Sequence, residues 1–240
     1  MSTPPATALH FSLKQWSAWA PGLESRNAWL AWDGKPPGGE TAPKVEAMPA
    51  MLRRRADRLG KMALEALYAP EIAYHGQPLI HASRHGEATR TVPLLQSLAA
   101  EGKVSPQAFS MAVHNATAGL FTIATRTHTP VSAIAAGAET ALAGLVEACS
   151  QLADGAASVL LCYSDEPLPA LYRRYADAPE APFAMALDLV PGDDFRLEPG
   201  HAGGRDATPL ELLHFFLSGA AVLPLAVRGG WTVVRSGEAA

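Results

Sequence analysis

Pro130-Val131-Ser132-Ala133-Ile134-Ala135 runs into Ala136-Gly137-Ala138. A helical apolar pattern covers Glu139 to Leu152, closed by Asp154-Gly155, and a second apolar run follows, Ala157-Ser158-Val159-Leu160-Leu161-Cys162-Tyr163. Neither apolar run alternates with polar residues, which predicts strands buried on both faces. A helix between two such strands is a βαβ unit, and this unit decides the fold class.

The same signals extend in both directions. Leu79-Ile80-His81-Ala82-Ser83 reads as a central strand entering the loop Arg84-His85-Gly86-Glu87. Helices are predicted over Met51–Tyr68, where apolar positions recur at helical spacing, and over Thr91–Glu101, stopped by Gly102. Gln107–Thr125 reads as a small-residue helix or helix pair. Beyond the unit come a strand at Phe183–Leu189, a Gly/Asp/Pro loop from Pro191 to Thr208, a helix from Pro209 to Ser218 and a strand at Trp231–Arg235. The segment Leu9–Trp32 holds four of the five tryptophans and reads as an aromatic lid or edge, and Asp33–Pro49 reads as a Pro/Gly-rich surface loop. The expectation is one α/β domain over residues 1–240, a layered α/β/α arrangement on a mainly parallel mixed sheet, with an irregular stretch at 13–49.

Composition narrows the function. With 240 residues, 48% hydrophobic and 18% charged, the chain can close a core without disulfides. Its longest apolar stretches fall well short of the ~20 residues that a membrane span needs. Met1-Ser2-Thr3-Pro4-Pro5 lacks the basic start and apolar run of a secretory signal, so a cytoplasmic location is expected. A net charge of −4 carries no global footprint for nucleic acid. Cys149 and Cys162 lie in apolar surroundings and read as buried thiols. His75, His81, His85 and His114 have no metal-ligand spacing, and Gly38-Gly39 and Gly203-Gly204 lack the pattern of a phosphate loop. No cofactor and no metal are expected.

A turn feeding a helix N-terminus is where α/β enzymes place a nucleophile. Here it reads Ala136-Gly137-Ala138-Glu139-Thr140. Thr140 carries its only hydroxyl and suits a capping or packing role, while Glu139 would repel a thiolate or an oxyanion.

Three segments carry a family resemblance. Met51-Leu52-Arg53-Arg54-Arg55-Ala56-Asp57-Arg58-Leu59-Gly60-Lys61-Met62-Ala63-Leu64-Glu65-Ala66 resembles the early helix of β-ketoacyl synthases. Ser105-Pro106 through Val113-His114-Asn115-Ala116-Thr117-Ala118-Gly119 resembles their dimer-interface segment, and Pro130–Thr140 stands where that family has the strand and nucleophile turn. By register the catalytic cysteine falls at Ala138, or at Gly137 with a shift of one. The family's two histidines come from a second thiolase-like half. Only His201-Ala202-Gly203-Gly204 faintly resembles the first of their motifs, and it reads as a surface loop. The resemblance implies half of a thiolase-like fold and a chain-length factor of the aryl polyene kind: a silent partner in a heterodimer with a full-length β-ketoacyl synthase, served by an acyl carrier protein.

Carried over, Phe109, Val113, His114, Asn115, Thr117 and Phe121 would line the shared acyl tunnel and the dimer interface. Val113, Thr117 and Phe121 are expected on one helical face, with Phe121 as the plug. Arg53, Arg54 and Arg55 are a candidate landing patch for the acidic carrier protein, with Arg173 and Arg174 as a second one. Two other readings stay open: an acyltransferase or hydrolase using Ser164 or Thr140 with a histidine, and a scaffold for carrier proteins.

Overall fold

A computed structural model describes residues 8–176, 180–199, 207–225 and 230–236. Strands β1 (Leu9–Trp19), β2 (Leu79–Ala82), β3 (Val131–Ile134), β4 (Val159–Asp165), β5 (Phe183–Pro199), β6 (Val222–Leu225) and β7 (Trp231–Arg235) form one sheet in the order β3-β2-β4-β5-β7-β6, and β1 lies along β5. The helices are α1 (Arg26–Leu30), α2 (Ala50–Arg53), α3 (Arg58–Leu67), α4 (Ala88–Glu101), α5 (Pro106–Ser110), α6 (Ala116–Thr125), α7 (Thr140–Ala153) and α8 (Pro209–Leu217).

Of the two apolar runs, the one that forms β4 does what its lack of alternation predicts, and the one that forms β3 does not. Along β4 every residue is buried. Leu161 and Tyr163 join the core under α7 and α8, while Leu160 and Cys162 join the core under α3 and α6. The sheet is therefore sandwiched between two helical layers, an α/β/α arrangement of the expected kind. Helix α7 approaches closely because of Gly144: a Cβ there would lie 2.9 Å from Leu161 Cδ1 and 3.1 Å from the Ala82 Cβ.

Five expectations need correction, the last of them the burial of β3. Parallel pairing is confined to β2 with β3 and β4; β5 pairs antiparallel with β1, β4 and β7, and β6 with β7, so the sheet is mixed but not mainly parallel. The stretch 13–49 is not irregular throughout. Its first part belongs to β1, whose Trp16 and Trp19 are buried, and α1 follows, leaving irregular backbone mainly from Asp33 to Pro49. The Met51–Tyr68 helix is two helices broken at residues 54–57. The loop expected from Pro191 is instead a bulge in β5: its partner register with β1 jumps from Ser12↔Val190 to Phe11↔Phe195, which sets Pro191-Gly192-Asp193-Asp194 outside the ladder.

The C-terminal segments are built into the same sheet. The distal half of β5 takes β7 as a neighbour, and β7 takes β6. Helix α8 starts with a capping box between Thr208 and Glu211 and buries Leu210, Leu212, Leu213, Phe215 and Phe216 in the α7-side core. Strand β3 is an edge strand, with Val131 and Ala133 exposed rather than buried. No helix among the described residues is long and apolar enough to cross a membrane.

Candidate functional site

The turn after β3 is one 3-10 turn, Gly137–Glu139, leading directly into α7. Thr140 fixes it: its Oγ1 accepts the Ala136 N–H at 2.9 Å and donates to the Gly137 carbonyl at 2.7 Å. Gly137 takes φ +60°, a left-handed conformation that glycine adopts without strain. Ala138 lines a pocket of about 550 Å³, whereas Gly137 does not. Of the two registers considered for the missing cysteine, Ala138 is the one with access to a cavity.

The pocket lies between this turn, the segment around Trp32, the ends of β4 and β5, and the start of α8. Its apolar wall includes Trp32, Ala138, Ala181, Phe183 and Leu210. Its polar groups converge from distant parts of the chain. Tyr163 donates to Asp165 Oδ2 at 3.0 Å, and Asp165 Oδ1 is buried without a hydrogen-bond partner. Glu180 holds the Leu168 N–H at 3.0 Å and lies 3.3 Å from His85 Nε2. Burial pushes the Asp165 carboxyl up to about 7, and the same burial beside that carboxyl raises the Tyr163 phenol well above its ordinary value. None of these residues was singled out in the sequence as a site. The available signal was that β4 is a strand of a parallel unit whose C-terminal end carries Ser164-Asp165, and such ends are where α/β folds bind ligands.

Neither cysteine offers a substitute nucleophile. Cys149 and Cys162 are buried free thiols, both pushed up to about 12 by burial. The structure does bring Ser164 and a histidine together: Ser164 Oγ and His81 Nε2 share a hydrogen bond of 3.0 Å. Both are sealed, at 0% and 3% exposure, so no substrate reaches the hydroxyl. His81 is held neutral, its imidazole lowered to about 4 by burial and by nearby His114. Thr140, the other candidate, is 1% exposed and occupied by its turn contacts. Among the described residues no group of three His, Cys, Asp or Glu is placed to hold a metal ion.

The six tunnel candidates separate. Phe109, Val113 and Asn115 are exposed. Thr117 and Phe121 point inward: Thr117 donates to Glu87 Oε1 at 3.2 Å, and the Phe121 ring packs against Tyr68 and Tyr74 at 5.2 and 4.8 Å. Val113 precedes α6, so the expected single face of Val113, Thr117 and Phe121 does not form. His114 is half-buried, and its Nε2 donates to the Ser83 carbonyl at 2.7 Å.

Arg53, Arg54 and Arg55 sit at the end of α2 and in the break before α3 rather than at a helix start. Arg54 and Arg55 line a surface pocket of about 350 Å³ with Arg90, while Arg53 reaches the Val45 carbonyl at 3.5 Å. Arg58 turns away, to Glu166 at 3.5 Å and to the Gly39 and Thr41 carbonyls. Arg173 and Arg174 lie in a short 3-10 turn, with Arg174 over the exposed Tyr175 ring. His201-Ala202-Gly203-Gly204 lies outside the described residues.

The fold is similar to that of solved ketosynthase structures. One chain of the complex of a ketosynthase (ApeO) with its chain length factor (ApeC) from Xenorhabdus doucetiae matches with a TM-score of 0.82 and 27% identity. That match spans 95% of this chain and 100% of the other. The ishigamide ketosynthase/chain length factor matches at a TM-score of 0.60 and 15% identity, over 80% of this chain and 66% of the other. A type II polyketide synthase structure, an acyl-carrier protein in complex with its ketosynthase, matches at 0.58 and 13%, over 75% and 62%. These last two likenesses show the fold alone. No curated protein matches in sequence. The family model for the β-ketoacyl synthase N-terminal domain matches residues 29–215, so the chain belongs to the β-ketoacyl synthase family through that domain.

Proposed function

We propose that this chain is a non-catalytic, chain-length-factor-like subunit. In this reading it pairs with a cysteine-bearing β-ketoacyl synthase and shapes the space open to the growing chain in aryl polyene or related polyketide and fatty acid synthesis. The observation that carries the reading is Ala138: it stands on the nucleophile turn and faces the pocket, where it can form no thioester. The Xenorhabdus match supports it, because there a family chain spanned along its whole length by this one belongs to a ketosynthase–chain length factor complex.

Exposure supports a choice of pairing face within this reading. Phe109 at 59%, Val113 at 40%, Ile123 at 60% and Val131 at 37% concentrate in one stretch of sequence that ends on β3, whose outer edge has no strand neighbour among the described residues. An open edge beside exposed apolar groups favours a partner that supplies both a strand and a hydrophobic surface. Phe109, Val113 and Asn115 are then the residues of this chain that reach a shared tunnel, and the Phe121 plug acts only indirectly, through the core behind them. Arg54 and Arg55 remain the proposed contact for an acidic acyl carrier protein. The cytoplasm is the proposed location.

Co-expression with a cysteine-containing ketosynthase of the same pathway, followed by native mass spectrometry, tests the pairing. A 1:1 complex that Ile123→Glu abolishes is expected. A stable monomer or self-dimer beside unbound ketosynthase overturns the proposal.

A further inference from the structure

The pocket beside Ala138 has a property that a silent subunit does not require. Three carboxylates line it, Asp165, Glu180 and Glu211, against one guanidinium, Arg84. Glu211 is committed to the α8 capping box; Glu180 accepts the Leu168 N–H through one oxygen, and its other oxygen lies 3.3 Å from His85 Nε2. Asp165 is different. It is 8% exposed, one oxygen accepts from Tyr163, and the other is a buried acceptor without a donor. An unmatched buried carboxylate oxygen is costly, and a ligand that supplies a donor relieves that cost. The rest of the lining includes aromatic and aliphatic residues, Trp32 and Phe183 among them, and aromatic rings attract cations. At about 550 Å³ the volume lies in the range of small-molecule sites.

We propose that this pocket binds a small amphipathic amine, with its ammonium group at Asp165 and its apolar body against Trp32 and Phe183. The site is independent of the subunit reading, since nothing in it depends on a partner chain. A pH signature follows. The groups facing the Asp165 carboxyl are Tyr163 on its own strand, Arg84 from the loop after β2, and Glu180 before β5, with Glu211 and His214 of α8 and His85 also at or beside the pocket. Burial above all, and the Glu180 charge, favour the protonated acid; the Tyr163 hydrogen bond, Arg84 and the Glu166 N–H oppose them. An ammonium ligand requires the ionised form, so its affinity rises from pH 6 to pH 8, a range in which an alkyl amine keeps its proton.

Isothermal titration of the full chain with 2-phenylethylamine and with its neutral isostere 2-phenylethanol, at pH 6 and pH 8, tests the proposal. The expected result is saturable amine binding at pH 8, about tenfold tighter than the alcohol and weaker at pH 6. Asp165→Asn should remove the preference for the amine, and Ala138→Phe, which fills the pocket from its rim, should remove binding of both. No saturable amine binding by the wild-type chain, equal affinity for amine and alcohol, or amine binding that survives Ala138→Phe would each overturn it. The wild-type comparison needs no variant, so a variant that fails to fold leaves a decisive measurement.

Discussion

Two places in this molecule resemble parts of an enzyme, and each lacks what the other has. The turn Ala136–Thr140 opens onto a pocket and feeds a helix N-terminus, but its side chains include no accessible nucleophile. The Ser164–His81 pair has a hydroxyl 3.0 Å from an imidazole, but both groups are sealed in the interior. Catalysis needs a reactive group, a base of suitable pKa and access together. The comparison separates access from reactivity: the turn has a cavity but no nucleophile, and the buried pair has a hydroxyl and an imidazole but no access.

The largest expected effect concerns the sealed side of the molecule. Phe121→Ala removes a ring packed between Tyr68 and Tyr74 and should destabilise by about 3–5 kcal/mol in urea unfolding. Phe109→Ala on the exposed side should change stability by less than ~0.5 kcal/mol. If product length shifts in a reconstituted system at a temperature where the Phe121 variant stays folded, the plug role returns.

A second effect is pH-dependent. Glu87, buried beside Thr117 and near Asp57, is raised to about 7. Its folded form holds a proton that the unfolded chain gives up above its ordinary carboxyl range. Its contribution is therefore present at low pH and lost as pH rises to about 7. Glu87→Gln should raise stability at pH 8 by about 1–3 kcal/mol and leave it nearly unchanged at pH 4. His81, lowered to about 4, has the opposite sign: the unfolded chain binds its proton first, so stability is lost as pH falls from about 6.5 towards 4. Equal gains from Glu87→Gln at both pH values would contradict the burial of that carboxyl.

Smaller effects sharpen the contrast. Ser164→Ala should cost about 1 kcal/mol through the lost bond to His81 and leave any hydrolytic background unchanged. Ala138→Cys should scarcely alter stability yet add one thiol that iodoacetamide labels at pH 8. The native chain stays unlabelled, because both of its own thiols are buried.

Much of the fold was legible from periodicity. Continuous apolar runs marked β2, β4 and the start of β5, and helical spacing marked α3 and α7. Strand β1 shows a period of two only at its start, where Leu9, Phe11 and Leu13 alternate with His10, Ser12 and Lys14; the tryptophan-rich run from Gln15 to Trp19 and the turn at Pro21-Gly22 mask it. The Pro191–Asp194 bulge carries the composition of a loop, and only pairing with β1 on both sides shows that the strand resumes. The lack of a nucleophile in the turn Ala136–Thr140 was readable because the turn is local. The pocket was not, since Trp32, Arg84, Ala138, Asp165 and His214 come from five separated segments that only the tertiary fold assembles. For the same reason the inward direction of Phe121 was hidden: α6 starts at Ala116, too late to place Val113 on the same face.

The central claim is that the turn at Ala138 is chemically silent within a family scaffold. Intact-protein mass spectrometry after incubation with an acylated carrier protein, for this chain alone and with a cysteine-bearing ketosynthase, tests it most directly. The account predicts an acyl mass increment on the ketosynthase and none on this chain under either condition. A stoichiometric acyl increment on this chain would contradict it.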